Sequence, residues 1–170
     1  MVRDDELNRL IKYAQGMGLS VHFKPSVKGS TFGAEYVTDG TEVIIYITKR
    51  TTKLDKIFSL IHELSHHKAY INNDREIDEK LDEILIKEDP KKRERYEIWK
   101  SEIRDAQYWE EIYRDTNCQF NINRLYAQKD FDLWVYEFYY ENGGWPTWKL
   151  KNNKIKELIK KYKNGKRPLK

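Results

Sequence analysis

The chain has 170 residues, of which 39% are hydrophobic, 14% aromatic and 35% charged, with a formal net charge of +4. That is the size of one ordinary domain with enough apolar residues for a core, and no run approaches the roughly 18 apolar residues of a membrane span. The single cysteine, Cys118, excludes an intramolecular disulfide framework and fits a reducing compartment.

The first residues, Met1-Val2-Arg3-Asp4-Asp5-Glu6, are polar and acidic, unlike a signal peptide, so the expected location is cytoplasmic. Residues 4–17 predict a helix, with Leu7, Leu10, Ile11 and Ala14 at i, i+3, i+4 and i+7. Gly16-Met17-Gly18 ends it. This Gly-x-Gly follows a helix and lacks a third glycine, so it says nothing about nucleotides.

Residues 19–47 predict three short strands, expected to be antiparallel. Val21 and Phe23 alternate with His22 and Lys24, and Pro25 to Gly33 is turn-rich. Ala34 to Val37 is a short strand, Asp39-Gly40 is a hairpin signal, and Glu42 to Thr48 carries Val43, Ile44, Ile45, Tyr46 and Ile47. A small sheet before the next helix could also pair an extended peptide along its edge. His22 points away from its apolar neighbours and reads as an exposed strand residue rather than a ligand.

The next helix holds His62-Glu63-Leu64-Ser65-His66-His67. Thr51-Thr52, with Asp55 three residues after Thr52, is a helix-start signal. Residues four apart on a helix point the same way, so His62 and His66 can aim two imidazoles at one divalent metal. Glu63 can then reach a metal-bound water without being a ligand, which is the mechanical content of the His-Glu-x-x-His motif. His67 lies about 100° round the helix and cannot share that metal. It is either an outer contact of the site or a surface histidine.

Beyond Asn72-Asn73-Asp74, residues 74–88 predict a charged helix with Ile77, Leu81, Ile84 and Leu85 as its apolar stripe. Asp89-Pro90 breaks it, and a new helix runs from Pro90 to about Thr116. Two histidines do not complete a zinc site, and neither a downstream histidine nor a second cysteine is present, so the third ligand is expected to be a carboxylate. Trp99, Ile103, Ala106, Trp109 and Tyr113 predict the apolar stripe of this helix, and Glu102 falls inside it. An acid on an apolar stripe needs a cation or a donor to offset lost hydration. Glu102 is therefore the first choice and Glu97 the second, with Asp105 a candidate partner for a histidine. A buried ion pair of Glu102 with Arg95 or Arg104 is the competing explanation.

The motif, preceded by a helix and three strands and followed by an acid-bearing helix, resembles the ImmA/IrrE-type metallopeptidases and small phage-encoded zinc peptidases of zincin fold. The resemblance covers roughly residues 4–115. It implies an α+β, zincin-like architecture: an N-terminal helix, a small three-stranded antiparallel sheet, the motif helix, then further helices. It also implies one zinc ion per chain held by His62, His66 and a downstream glutamate, here Glu102, with Glu63 as the catalytic base. Glu102-Ile103-Arg104-Asp105-Ala106 is only similar to the family's Glu-x-x-Ala-type segment.

Residues 117–148 are crowded with aromatics, among them Phe120, Phe131, Trp134, Phe138, Tyr139, Trp145 and Trp148, and are expected to form a helical cap. Phe131, Trp134, Val135 and Phe138 fit one helix face. Gly143-Gly144-Trp145-Pro146 is a break. The expected organisation is one domain over 1–148 and a basic amphipathic helix with a tail over 149–170. That last segment holds ten Lys or Arg and one acid, Glu157, a local charge of +9, while residues 1–148 carry −5.

The expected function is a zinc metallopeptidase acting on a protein or peptide, with no membrane partner. The alternative is a binding module on the same scaffold. It would engage a protein, or a nucleic acid, through the aromatic cap and the basic tail.

Overall fold

The computed structural model describes residues 4–26, 34–36, 40–72, 80–81, 83–84 and 87–164. The chain divides into two compact units: Met1–Asp78 with Gln107–Phe120, and Glu79–Ala106 with Asn121–Lys170.

In the first unit, α1 (Asp4–Gly16) leads through Gly18, at φ +86°, into β1 (Ser20–Pro25). Strand β2 (Ala34–Tyr36) and β3 (Glu42–Ile47) complete a sheet of order β1-β3-β2. The expected antiparallel sheet is corrected here. Strand β2 pairs antiparallel with β3, Tyr36 opposite Val43, but β1 pairs parallel with β3, Val21 opposite Val43. The molecule is dominated by helices and remains α+β only in broad terms; the zincin-like sheet that the resemblance implied is not found. The reason lies in β3. Val43, Ile44 and Ile45 are consecutive and buried, which suits a central strand covered on both faces. The Gly40 turn folds β2 back onto one edge of β3, and β1 takes the other edge. At Gly40 φ is +76°, and a Cβ there would meet Tyr70 Cε1 at 3.3 Å and the Tyr36 hydroxyl at 3.4 Å, so the turn requires glycine.

Helix α2 (Lys53–Asn72) carries the motif. It starts as its sequence predicts: Asp55 N donates to Thr52 Oγ1 at 3.1 Å and Thr52 N to Asp55 Oδ2 at 2.8 Å, a reciprocal cap that satisfies two otherwise orphaned donors. Ile57, Leu60, Ile61 and Leu64 are fully buried, along with Leu10 and Ala14 of α1.

The helix expected over 74–88 lies mostly outside the described residues; Lys80, Leu81, Glu83 and Ile84 within it are helical. The helix expected from Pro90 begins at Lys92. Helix α3 (Lys92–Asp105) is joined through a 3-10 turn (Ala106–Tyr108) to α4 (Trp109–Asp115). Its first turn is closed by Lys91 N, which donates to Glu94 Oε2 at 2.7 Å. The predicted apolar stripe is rotated. Ile103 is 47% exposed, and the buried positions are Ile98, Glu102, Asp105, Ala106, Trp109 and Ile112.

The segment after α4 is tied to α1. The fully buried Glu6 accepts from Gln119 N at 2.6 Å and Phe120 N at 2.9 Å. Arg9 donates to the Thr116 and Asn117 carbonyls, each at 2.9 Å. Phe120 packs edge-on to Phe58 and Tyr113.

In the second unit, α5 (Ile122–Asn142) is capped by Asn121, whose side chain accepts from Asn123 N, and stops at Gly143, in left-handed backbone at φ +73°. Leu81, Ile98 and Tyr139 form one core cluster, with Trp145 stacked on Tyr139 at 4.1 Å. Helix α6 (Trp148–Lys163) packs Leu158 and Tyr162 against Ala127. The expected aromatic face of α5 is only half-buried: Phe131, Trp134 and Phe138 form a ladder of neighbouring rings 6.0 and 5.7 Å apart. The tail 165–170 lies outside the described residues. No described helix is long and apolar enough to cross a membrane.

Candidate metal centre

Helix α2 presents His62 and His66 one turn apart. Their Nε2 atoms stand 3.0 Å apart, and the rings meet edge to face at 81°. Two nitrogens on one tetrahedral zinc would be roughly 3.3 Å apart, so the pair is already close to the spacing that a shared ion imposes. Glu102 of α3 joins them. One ligand atom from each of His62, His66 and Glu102 lies within 4.8 Å of the others, a group that could hold a metal ion. Glu102 is buried at 8% exposure. Among the described residues the group has three members. Two imidazole nitrogens and a carboxylate oxygen suit a borderline-soft divalent cation such as zinc better than calcium or magnesium, which take oxygen ligands.

The other residues named from sequence fall elsewhere. Glu97 is exposed and is not in the group. Asp105 is buried and accepts from Arg104 Nε at 2.5 Å. Arg95 donates to the Pro90 carbonyl at 2.6 Å and the Tyr140 carbonyl at 3.3 Å. His22 is exposed on β1, as expected. Glu63 is buried at 6% exposure within α2.

His67 is not a surface histidine. It is 3% exposed, its Nδ1 is in hydrogen-bond contact with the Tyr36 hydroxyl at 3.1 Å, and its ring meets Tyr36 edge-on. Its Nε2 is buried with no hydrogen-bond partner among the described residues. Burial lowers the His67 pKa, and a weaker pull from the Met17 backbone opposes this without reaching hydrogen-bond geometry.

From sequence Trp109 was read only as part of an apolar stripe and not as a neighbour of the site. Its buried ring stands edge-on to His62, with centroids 5.9 Å apart. The signal in the sequence was its place with Glu102 in the predicted apolar stripe, although the 3-10 turn Ala106–Tyr108 interrupts the helix between them. Beside the motif, Lys68 is buried and donates to Glu111 at 2.6 Å and to the Tyr13 hydroxyl at 3.0 Å.

No known family model, curated protein or solved structure matches the chain.

Proposed function

We propose that this protein is a zinc-dependent metallopeptidase that hydrolyses a protein or peptide bond with Glu63 as general base. The observation that carries the reading is the convergence of the two histidine Nε2 atoms, 3.0 Å apart, with a Glu102 carboxylate oxygen in the same group. Among the described residues the set has three protein ligands, the number typical of a catalytic site, whereas structural zinc takes four. A bound zinc ion would supply a water of lowered pKa and a Lewis acid for the scissile carbonyl.

The chain's own part is proton transfer. Glu63 follows the first ligand in sequence; it takes the proton of the attacking water and passes it to the departing amine. Its burial limits competition from bulk water for that carboxylate. The motif's resemblance to the ImmA/IrrE-type and small phage-encoded peptidases supports the same chemistry.

Glu63→Gln keeps the side-chain shape and removes the base. Zinc-loaded wild type is expected to cleave an unfolded protein such as casein. The variant should bind zinc with the same stoichiometry and lose cleavage by about 100-fold or more. Equal cleavage by both proteins would remove Glu63 from the mechanism. No zinc uptake by wild type after reconstitution would overturn the reading as a whole.

A further inference from the structure

Helix α6 has two unlike faces. Leu158 and Tyr162 are buried on one of them. On the other, Lys149, Lys156, Lys160 and Lys163 are all exposed. At 100° per residue these four fall within an arc of about 60°, on the side away from Leu158 and Tyr162, and at 1.5 Å per residue they span about 21 Å.

Two acids on or beside this helix are engaged with other lysines. Glu157 accepts from Lys154 at 3.1 Å. Asp130 accepts from Lys161 at 3.2 Å and from the Tyr162 hydroxyl. None of the four lysines on the stripe has an ion pair among the described residues. Four unneutralised ammonium groups in one line repel one another, and an anion that tracks the line relieves that repulsion.

Trp148 begins the helix directly before Lys149. It is 79% exposed, the most exposed of the large hydrophobic residues described, and its ring makes no aromatic contact among them. The helix starts there because Thr147 caps it, its Oγ1 accepting from Leu150 N at 3.4 Å. At 100° per residue the Trp148 Cα lies about 60° outside the lysine arc, so the exposed side chain flanks the stripe at the first turn of the helix.

We propose that this face of α6 binds single-stranded nucleic acid, the lysine stripe following the phosphates and Trp148 stacking on an unpaired base. A flat aromatic face beside a line of cations is the pairing that unpaired bases and their phosphates require. A duplex keeps its base faces covered and offers Trp148 nothing to stack on. The site is independent of the metal centre.

The test is fluorescence anisotropy of a labelled oligo-dT of about 15 nucleotides with the full chain, over a salt series. Four phosphate contacts predict a log–log salt slope of about −3 on a single strand. The quadruple variant Lys149→Gln, Lys156→Gln, Lys160→Gln, Lys163→Gln should lose both binding and slope, and the matching four-arginine variant should keep them. Trp148→Ala should weaken oligo-dT binding about tenfold with the slope unchanged, and leave binding of an equal-length duplex unaltered. Far-ultraviolet circular dichroism of each variant controls for folding. No oligo-dT binding by wild type overturns the proposal, as does a duplex bound equally well with Trp148→Ala without effect. Binding to vesicles of phosphatidylserine and phosphatidylcholine without binding to oligo-dT overturns it in favour of a lipid surface.

Discussion

The Nε2 atoms of His62 and His66 stand 3.0 Å apart on rings that meet edge to face. An i, i+4 spacing alone allows many ring orientations. Here the buried Trp109 lies against His62 and restricts them. The group gives a sharp expectation for the third ligand. Glu102→Ala should weaken zinc binding 100-fold or more, because a three-ligand site loses one of its three donors, while Glu97→Ala should leave binding unchanged. Competition with a chromophoric chelator measures both. Loss of zinc in Glu97→Ala but not Glu102→Ala would reverse the assignment.

The Glu6 carboxylate is the anchor between α1 and residues 119–120. It is fully buried and receives two backbone N–H groups. Glu6→Ala leaves both donors without a partner in the interior and should cost about 2–4 kcal/mol. Glu6→Gln keeps an acceptor oxygen and should cost less. Urea unfolding with unchanged slope would measure the difference; equal stability of Glu6→Ala and wild type would show that the bonds contribute nothing net.

Tyr13, Tyr139 and Tyr162 are raised in pKa in the folded chain. Burial is the largest cause in each, and at Tyr162 the hydrogen bond to Asp130 adds to it. A raised pKa means that the folded state holds the proton more tightly. The contribution to stability is therefore complete below about pH 10 and is lost as pH rises through the folded values. Absorbance at 295 nm should show a late set of tyrosines that ionises only with unfolding. Tyr162→Phe should shrink the late set. Reversible ionisation of all the tyrosines near pH 10 in the folded protein would contradict the burial described.

Cys118 is 6% exposed, lies 3.3 Å from Thr116 Oγ1, and has a thiol pKa raised chiefly by burial. A thiol held protonated out of solvent is a poor nucleophile. Ellman's reagent at pH 8 should label it only slowly in the native protein and rapidly in denaturant. Rapid labelling of the native chain would place the thiol at the surface.

Local order was legible in the sequence. The periodicity of Leu7, Leu10, Ile11 and Ala14 marks α1, Thr52 with Asp55 marks the start of α2, and the Gly143 break ends α5. These features depend on neighbours within about one helical turn, and short-range sterics and hydrogen bonding fix them. The spacing of His62 and His66 likewise places two imidazoles on one side of a helix before any tertiary contact forms.

Relationships between distant residues were not legible in the same way. The parallel pairing of β1 with β3 depends on which edge of a central strand is left free once β2 has folded back, and alternation along one strand carries no such information. The rotation of α3 that exposes Ile103 and buries Asp105 follows from the surfaces it meets, since a stripe read on an ideal helix is set only to within one residue. The sequence left His67 open between an outer contact of the site and a surface histidine, because its partner, Tyr36, stands 31 positions earlier. Glu102 was chosen over Glu97 by helical phase. Only the tertiary structure, by bringing a carboxylate to two histidines 36 and 40 residues away in sequence, made the three into one group.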